Sequence, residues 1–141
     1  MSAYVDSSFV VSLYLTDVHS PEARRRVQGA PPFVLTPLHR AEWAHAIGQH
    51  QFRGTVTAEK AQRAHGQFVA DRAANLWREA PLPENAFELC VDLARRYASK
   101  LGMRTLDTLH VACALEFKAD RFWTFDERQA KLAKAQGMKS L

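Results

Sequence analysis

Cysteine is scarce in this sequence, and no group of imidazoles and thiolates has metal-ligand spacing. Its two cysteines, Cys90 and Cys113, fall within apolar helical stripes and form no paired motif, so no zinc site is implied. They read as buried small hydrophobes in a reducing cytoplasm. Long apolar runs are missing too: nothing approaches the roughly 18 residues of a membrane span, and no basic segment with a signal-like apolar core opens the chain. The expectation is a soluble, unprocessed cytoplasmic protein with no membrane association. No internal repeat, linker or low-complexity stretch divides it. At 141 residues, 47% hydrophobic and 24% charged, it is expected to fold as one domain over 1–141. Strong charge bias is also lacking. The net charge is +4, and the excess is even, with 7 basic and 5 acidic residues in Met1 to Ala70 and 12 and 10 in Asp71 to Leu141. That balance mildly favours an anionic partner.

The chain does contain carboxylates at changes of local period. Ala3 to Val5 favour a strand, whereas Phe9, Val10, Leu13 and Tyr14 recur at helical spacing, which places Asp6 on a strand-to-helix turn. In a sheet whose strands are followed by helices, such turns line the edge where ligands bind. Asp6 or a neighbouring serine could equally cap the helix. Ser20 and Pro21 open a basic helix through Gln28. Phe33 to Leu35 read as a strand, and Thr36 with Pro37 starts a helix to about Phe52 that carries Glu42 one turn in. Glu42 is read either as half of an ion pair with a base such as Arg40 or as functional. Thr57 caps a thinly apolar helix to about Asn75, on which Lys60, Arg63 and Arg72 could line a groove. Leu76 to Glu79 is a candidate short strand.

The next helix bears a stripe of Phe87, Cys90, Val91, Ala94, Tyr97, Ala98 and Leu101 and ends at Gly102. Thr105 is placed to cap the helix that follows, whose expected buried stripe includes Leu106, Cys113 and Phe117. Asp107 lies in its first turn, where the helix dipole favours an acid. His110 is expected to be a packed or hydrogen-bonded core residue. Asp120 to Phe125 reads as a buried strand leading straight to Asp126, which caps a helix over 127–136 with Gln129 completing a capping box. Met138 to Leu141 adds a possible last strand. Strands alternating with helices predict an α/β fold with a mainly parallel sheet and helices on both faces.

Four pieces, YVDSSFVVSLYL, LTPLHRAEWAHAI, LDTLHVACAL and FWTFDERQAKLAKAQGM, occur in an order and at intervals that resemble a PIN domain. More narrowly, the chain is similar to the single-domain ribonuclease toxins of the VapC type. The resemblance spans the whole chain, though 51–80 match only in length and helical character. It implies a three-layer α/β/α fold and an acidic quartet at Asp6, Glu42, Asp107 and Asp126, with Ser8 and Thr124 orienting the carboxylates. It further implies a metal-dependent ribonuclease acting on RNA, a cognate antitoxin lying over the acidic pocket, and a homodimer.

The chemistry is coherent. Carboxylates about 5 Å apart repel by roughly 3 kcal/mol per pair at an effective dielectric of 20, so a cluster needs protons, bases or a cation. An all-oxygen donor set suits Mg²⁺ or Mn²⁺. Asp6 and Asp107 are the first choice as direct ligands, with Asp126 and Glu42 completing the site. The alternatives are a non-catalytic PIN-fold interaction domain and a PIN nuclease of RNA processing outside a toxin-antitoxin pair. An aspartate-nucleophile phosphatase is disfavoured because Asp6 is followed by Ser7 and Ser8 rather than by a second acid two residues on. A receiver domain is disfavoured because no phospho-acceptor aspartate ends a central strand.

Overall fold

The computed structural model describes residues 2–141. In chain order the elements are β1 (Ala3–Val5), α1 (Ser7–Tyr14), α2 (Ser20–Val27), β2 (Phe33–Leu35), α3 (Pro37–Phe52), α4 (Ala58–Ala73), β3 (Trp77–Glu79), α5 (Ala86–Leu101), α6 (Thr105–Glu116), β4 (Arg121–Trp123) and α7 (Glu127–Ala135). The alternation and the parallel pairing of the strands bear out the α/β class. The chain divides into two compact units: one runs to Asp6 and resumes at Pro81–Leu141, and the other spans Ser7–Ala80.

In the first unit β1 and β4 pair in parallel, with Ala3 opposite Arg121, Tyr4 opposite Phe122 and Val5 opposite Trp123. Two short strands cannot stand alone in water. They are held by a core that includes Tyr4, Val5, Phe122, Leu109, Val111 and Leu132, all buried. The seven residues Thr108 to Ala114 are buried without a break, so α6 has no solvent face in its middle. Within it His110 Nδ1 shares a hydrogen bond with the buried Tyr4 hydroxyl, 2.7 Å away, the core role expected of it. The expected last strand is reduced to a single parallel bridge between Arg121 and Lys139.

Two expectations for this unit are corrected. On α5 Cys90 is buried as expected, but its buried companions are Ala86 and Leu93, whereas Phe87 and Val91 face outward. Positions 86 and 90 have the same i, i+4 spacing as 87 and 91, so the larger side chains misled where periodicity could not choose. At the start of α6 the cap position belongs to Arg104, with Thr105 already inside the helix and Leu106 exposed.

In the second unit β2 and β3 pair in parallel, from Phe33 opposite Trp77 to Leu35 opposite Glu79. An aromatic cluster fills the space beside them: Phe68 lies 4.4 Å from Trp43 and 5.1 Å from Tyr14, centroid to centroid. The start of α3 is fixed by Thr36, whose hydroxyl accepts from the His39 N–H while the His39 ring receives the Thr36 N–H at 3.1 Å. Thr57 caps α4 as expected by accepting from the Lys60 N–H at 3.2 Å. Ser20 instead lies inside α2, where its hydroxyl donates to the Leu15 carbonyl at 2.7 Å. Of the consecutive arginines Arg24, Arg25 and Arg26 on α2, the last two both pair with Glu22 on the helix surface.

Candidate active site

The carboxyl ends of β1 and β4 deliver Asp6 and Thr124 side by side, because each follows the last paired residue of its strand and the Asp6 N–H donates to the Trp123 carbonyl at 3.3 Å. Both side chains are buried. The Thr124 hydroxyl lies 3.1 Å from Asp6 Oδ2 and 2.9 Å from Gln129 Oε1, one proton shared between two acceptors, and its oxygen receives the Asp126 N–H at 3.0 Å. A short turn therefore locks the fourth strand's end to the first strand's acid.

Gln129 closes the network. It is fully buried; its backbone N–H donates to Asp126 Oδ1 at 2.9 Å, and its side-chain amide donates to the Asp107 carbonyl at 3.1 Å. That second bond fixes the amide orientation, since only with Nε2 toward Asp107 can Oε1 meet the Thr124 hydroxyl. The expected capping box is thus half formed. Asp126 caps α7 as anticipated, whereas the Gln129 side chain turns inward rather than back to the cap.

The structure accordingly gathers Asp6, Asp126 and the backbone of Asp107 around Thr124 and Gln129. The Asp107 side chain is directed to Arg104, Nε to Oδ2 at 3.5 Å, and Asp126 Oδ2 lies 3.9 Å from Arg128 Nη2. Among the described residues no three of the His, Cys, Asp and Glu side chains are already disposed to hold a metal ion. The donors themselves are all oxygen, with no thiolate or imidazole among them, which is the set that fits a hard divalent cation.

Glu42 belongs to the second unit, where the buried Ser7 donates its hydroxyl to Glu42 Oε1 at 2.7 Å. Ser8 is exposed at the second position of α1. Ser7 and Gln129 are two residues that the sequence did not mark as parts of the site. Gln129 had a usable signal, a polar amide three positions after a capping acid, but its capping role concealed the inward one.

The second unit also carries a cavity of about 900 Å³. Phe33 and Trp77 contribute to its apolar lining, and its charged lining is Arg24, Lys60, Arg63 and Asp71. Asp71 is already engaged by the Tyr14 hydroxyl and by Gln67, each at 2.7 Å. The remaining character is basic, and of the three bases expected to line a groove Lys60 and Arg63 do so, whereas Arg72 is outside this lining and pairs with Glu79 at 2.8 Å.

The profile of the PIN domain matches residues 3–135. The chain belongs to the PIN domain family. The match crosses both compact units and takes in all four acids of the expected quartet. This PIN domain is 29% identical to Ribonuclease VapC46 of Mycobacterium tuberculosis over 137 residues, covering 96% of this chain and 92% of that protein. Among solved structures it is similar to the Sarcin-Ricin loop cleaving toxin VapC20 of Mycobacterium tuberculosis, with a TM-score of 0.70 at 18% identity over 97% of this chain and 96% of that one. It also resembles FitAcB from Neisseria gonorrhoeae, with a TM-score of 0.66 at 13% identity over 99% and 96% of the two chains. The VapBC2 structure from Rickettsia felis, bound to a promoter DNA fragment, gives 0.63 at 12% identity over 100% and 98%. The PIN fold is therefore the fold of this chain.

Proposed function

We propose that this PIN domain is a divalent-metal-dependent endoribonuclease and the toxin of a toxin-antitoxin pair, acting in the cytoplasm. The observation that carries the reading is the hydrogen-bonded network joining Asp6, Thr124, Asp126, Gln129 and the Asp107 carbonyl at the carboxyl ends of a parallel strand pair. The likeness to a ribonuclease along nearly the whole chain supports it. Because the family match runs through both compact units, the two are proposed to work as one PIN domain.

In this proposal Asp6 and Asp107 hold Mg²⁺ or Mn²⁺, and Asp126 with Glu42 completes the acidic set. The chemistry supplied by such an ion, when bound, is a water of lowered pKa and positive charge beside the reacting phosphate. Thr124 fixes the rotamer of Asp6 by donating to Oδ2, and Gln129 sets where α6 presents Asp107. Ser7 does the same for Glu42, and Ser8 is the second hydroxyl at that helix start.

Asp107→Asn keeps volume and removes charge, so it should abolish Mg²⁺- or Mn²⁺-dependent cleavage of RNA while the circular dichroism spectrum is retained. Full cleavage by that variant refutes the site. A second reading, a non-catalytic interaction domain, draws on the pairing of Asp107 and Asp126 with arginines. It is favoured if wild-type protein binds RNA but leaves it intact with either metal.

The proposed partner is a cognate antitoxin, and the toxin itself is proposed to be a homodimer. Besides the segment proposed to lie over the acidic residues, the cavity with Arg24, Lys60 and Arg63 over an apolar floor suits a further antitoxin segment that carries apolar anchors and acidic side chains. Co-expression with the product of a neighbouring short reading frame tests the pair directly.

A further inference from the structure

Two arginines border the acidic network, and both stand at the wrong end of a helix. Arg104 occupies the N-cap position of α6 without making a side-chain cap hydrogen bond, and Arg128 is the second residue of α7. A cation there opposes the helix dipole. Neither recovers much from its acid. The contacts to Asp107 and Asp126 are 3.5 and 3.9 Å, beyond the 2.7 to 2.9 Å of a good charge-assisted bond, and the arginine side chains are 81% and 50% exposed. Elsewhere in the chain arginine pairs are close: Arg26 to Glu22 and Arg72 to Glu79 are both 2.8 Å.

A local rule broken twice at one place, with little compensation in contacts, marks function rather than stability. Arg128 is also held in position, because Nη1 donates to the Gly102 carbonyl at 3.2 Å at the left-handed turn that ends α5. One guanidinium thus stays at the edge of the acids while its second nitrogen remains turned to the site. A planar fork of donors is suited to phosphate oxygens.

We propose that Arg104 and Arg128 are the RNA-backbone grip of this site: they shield Asp107 and Asp126 when no substrate is present and transfer to backbone phosphates when RNA arrives. The inference rests on the ribonuclease reading, and RNA binding without metal separates the two. Single-stranded RNA binding is measured by fluorescence anisotropy in EDTA across a salt series. Arg104→Gln with Arg128→Gln should weaken binding about tenfold and lower the slope of log K against log salt by about 1.4, two contacts at roughly 0.7 each. Arg25→Gln, which removes a charge from α2, should leave both quantities unchanged.

Arg104→Lys with Arg128→Lys keeps the charge but loses the fork, and should fall between the two. Equal loss in the Arg25→Gln control, or an unchanged slope in the double glutamine variant with only its melting temperature altered, overturns the proposal in favour of bulk charge or a structural pair. Cleavage by wild type together with unaltered binding by the double variant sinks this inference alone. Arginine-dependent binding with no cleavage under Mg²⁺ or Mn²⁺ sinks the ribonuclease reading and leaves the grip standing.

Discussion

Gln129 donates its side-chain amide to the backbone carbonyl of Asp107 at 3.1 Å, joining the first turn of α7 to the first turn of α6. This half-buried bond, and not a contact between carboxylates, is what registers the two late acids against each other. Side-chain contacts to a backbone atom survive changes in the charge of the acid itself, so the scaffold of the site can persist with or without a bound cation.

Replacing Gln129 with Leu keeps the bulk but removes the bond to the Asp107 carbonyl and one acceptor of the Thr124 hydroxyl. The expected loss is about 1 kcal/mol, the net worth of a typical intramolecular hydrogen bond. Chemical denaturation reads that loss. Cleavage should fall further than stability alone explains, because Asp107 is no longer held in place; a variant with full activity and wild-type stability would contradict the role given to Gln129.

Asp126 has two duties that substitution can separate. Asp126→Asn preserves the cap of α7, since asparagine caps about as well as aspartate, and should leave stability within a few tenths of a kcal/mol while RNA cleavage drops. Asp126→Ala should lose cleavage and about 1 kcal/mol of stability together. Parallel melts and cleavage assays on the two variants check both halves.

Alkaline conditions should weaken the fold through two buried acids. Burial pushes the Cys113 thiol up from 9.0 to about 12, and Tyr14 is raised by burial and by its hydrogen bond to Asp71. In each case the unfolded chain gives up its proton first, so stability is complete below pH 9.0 and drains away as pH climbs toward about 12. The denaturant midpoint should therefore be lower at about pH 10.5 than at neutrality, and Cys113→Ala should show a smaller alkaline drop.

Reversing charge in the second unit's cavity should uncouple neutralisation from catalysis. Lys60→Glu with Arg63→Glu is expected to weaken antitoxin binding by tenfold or more, about 1.4 kcal/mol, while cleavage by the toxin alone stays within about twofold. Isothermal titration of the two purified partners and a cleavage assay without antitoxin measure these separately. Unaltered affinity would remove the cavity from the partner's footprint.

Much of this was legible in the residues. Period changes located Asp6 and Asp126, and Thr36 with Pro37 and Thr57 by itself announced their helix starts, because capping is local chemistry written within four residues. The orientation of α5 was legible only at Cys90, since the pair Ala86 and Cys90 competes with Phe87 and Val91 at identical spacing and only tertiary packing chooses between them. Parallel pairing of residues 3–5 with 121–123 cannot be read from either segment by itself. Ser7 was passed over for Ser8 for a similar reason: which of two adjacent hydroxyls faces inward depends on where the helix packs.

The pairing of β1 with β4 ties Ala3–Val5 to Arg121–Trp123, residues that are translated 118 positions later. A nascent or prematurely terminated product that stops before Arg121 possesses Asp6 yet has neither the neighbouring strand nor the hydroxyl that steers it. On the nuclease reading, such unfinished molecules are harmless to the cell that makes them, and potency is switched on only after Thr124 has joined the chain.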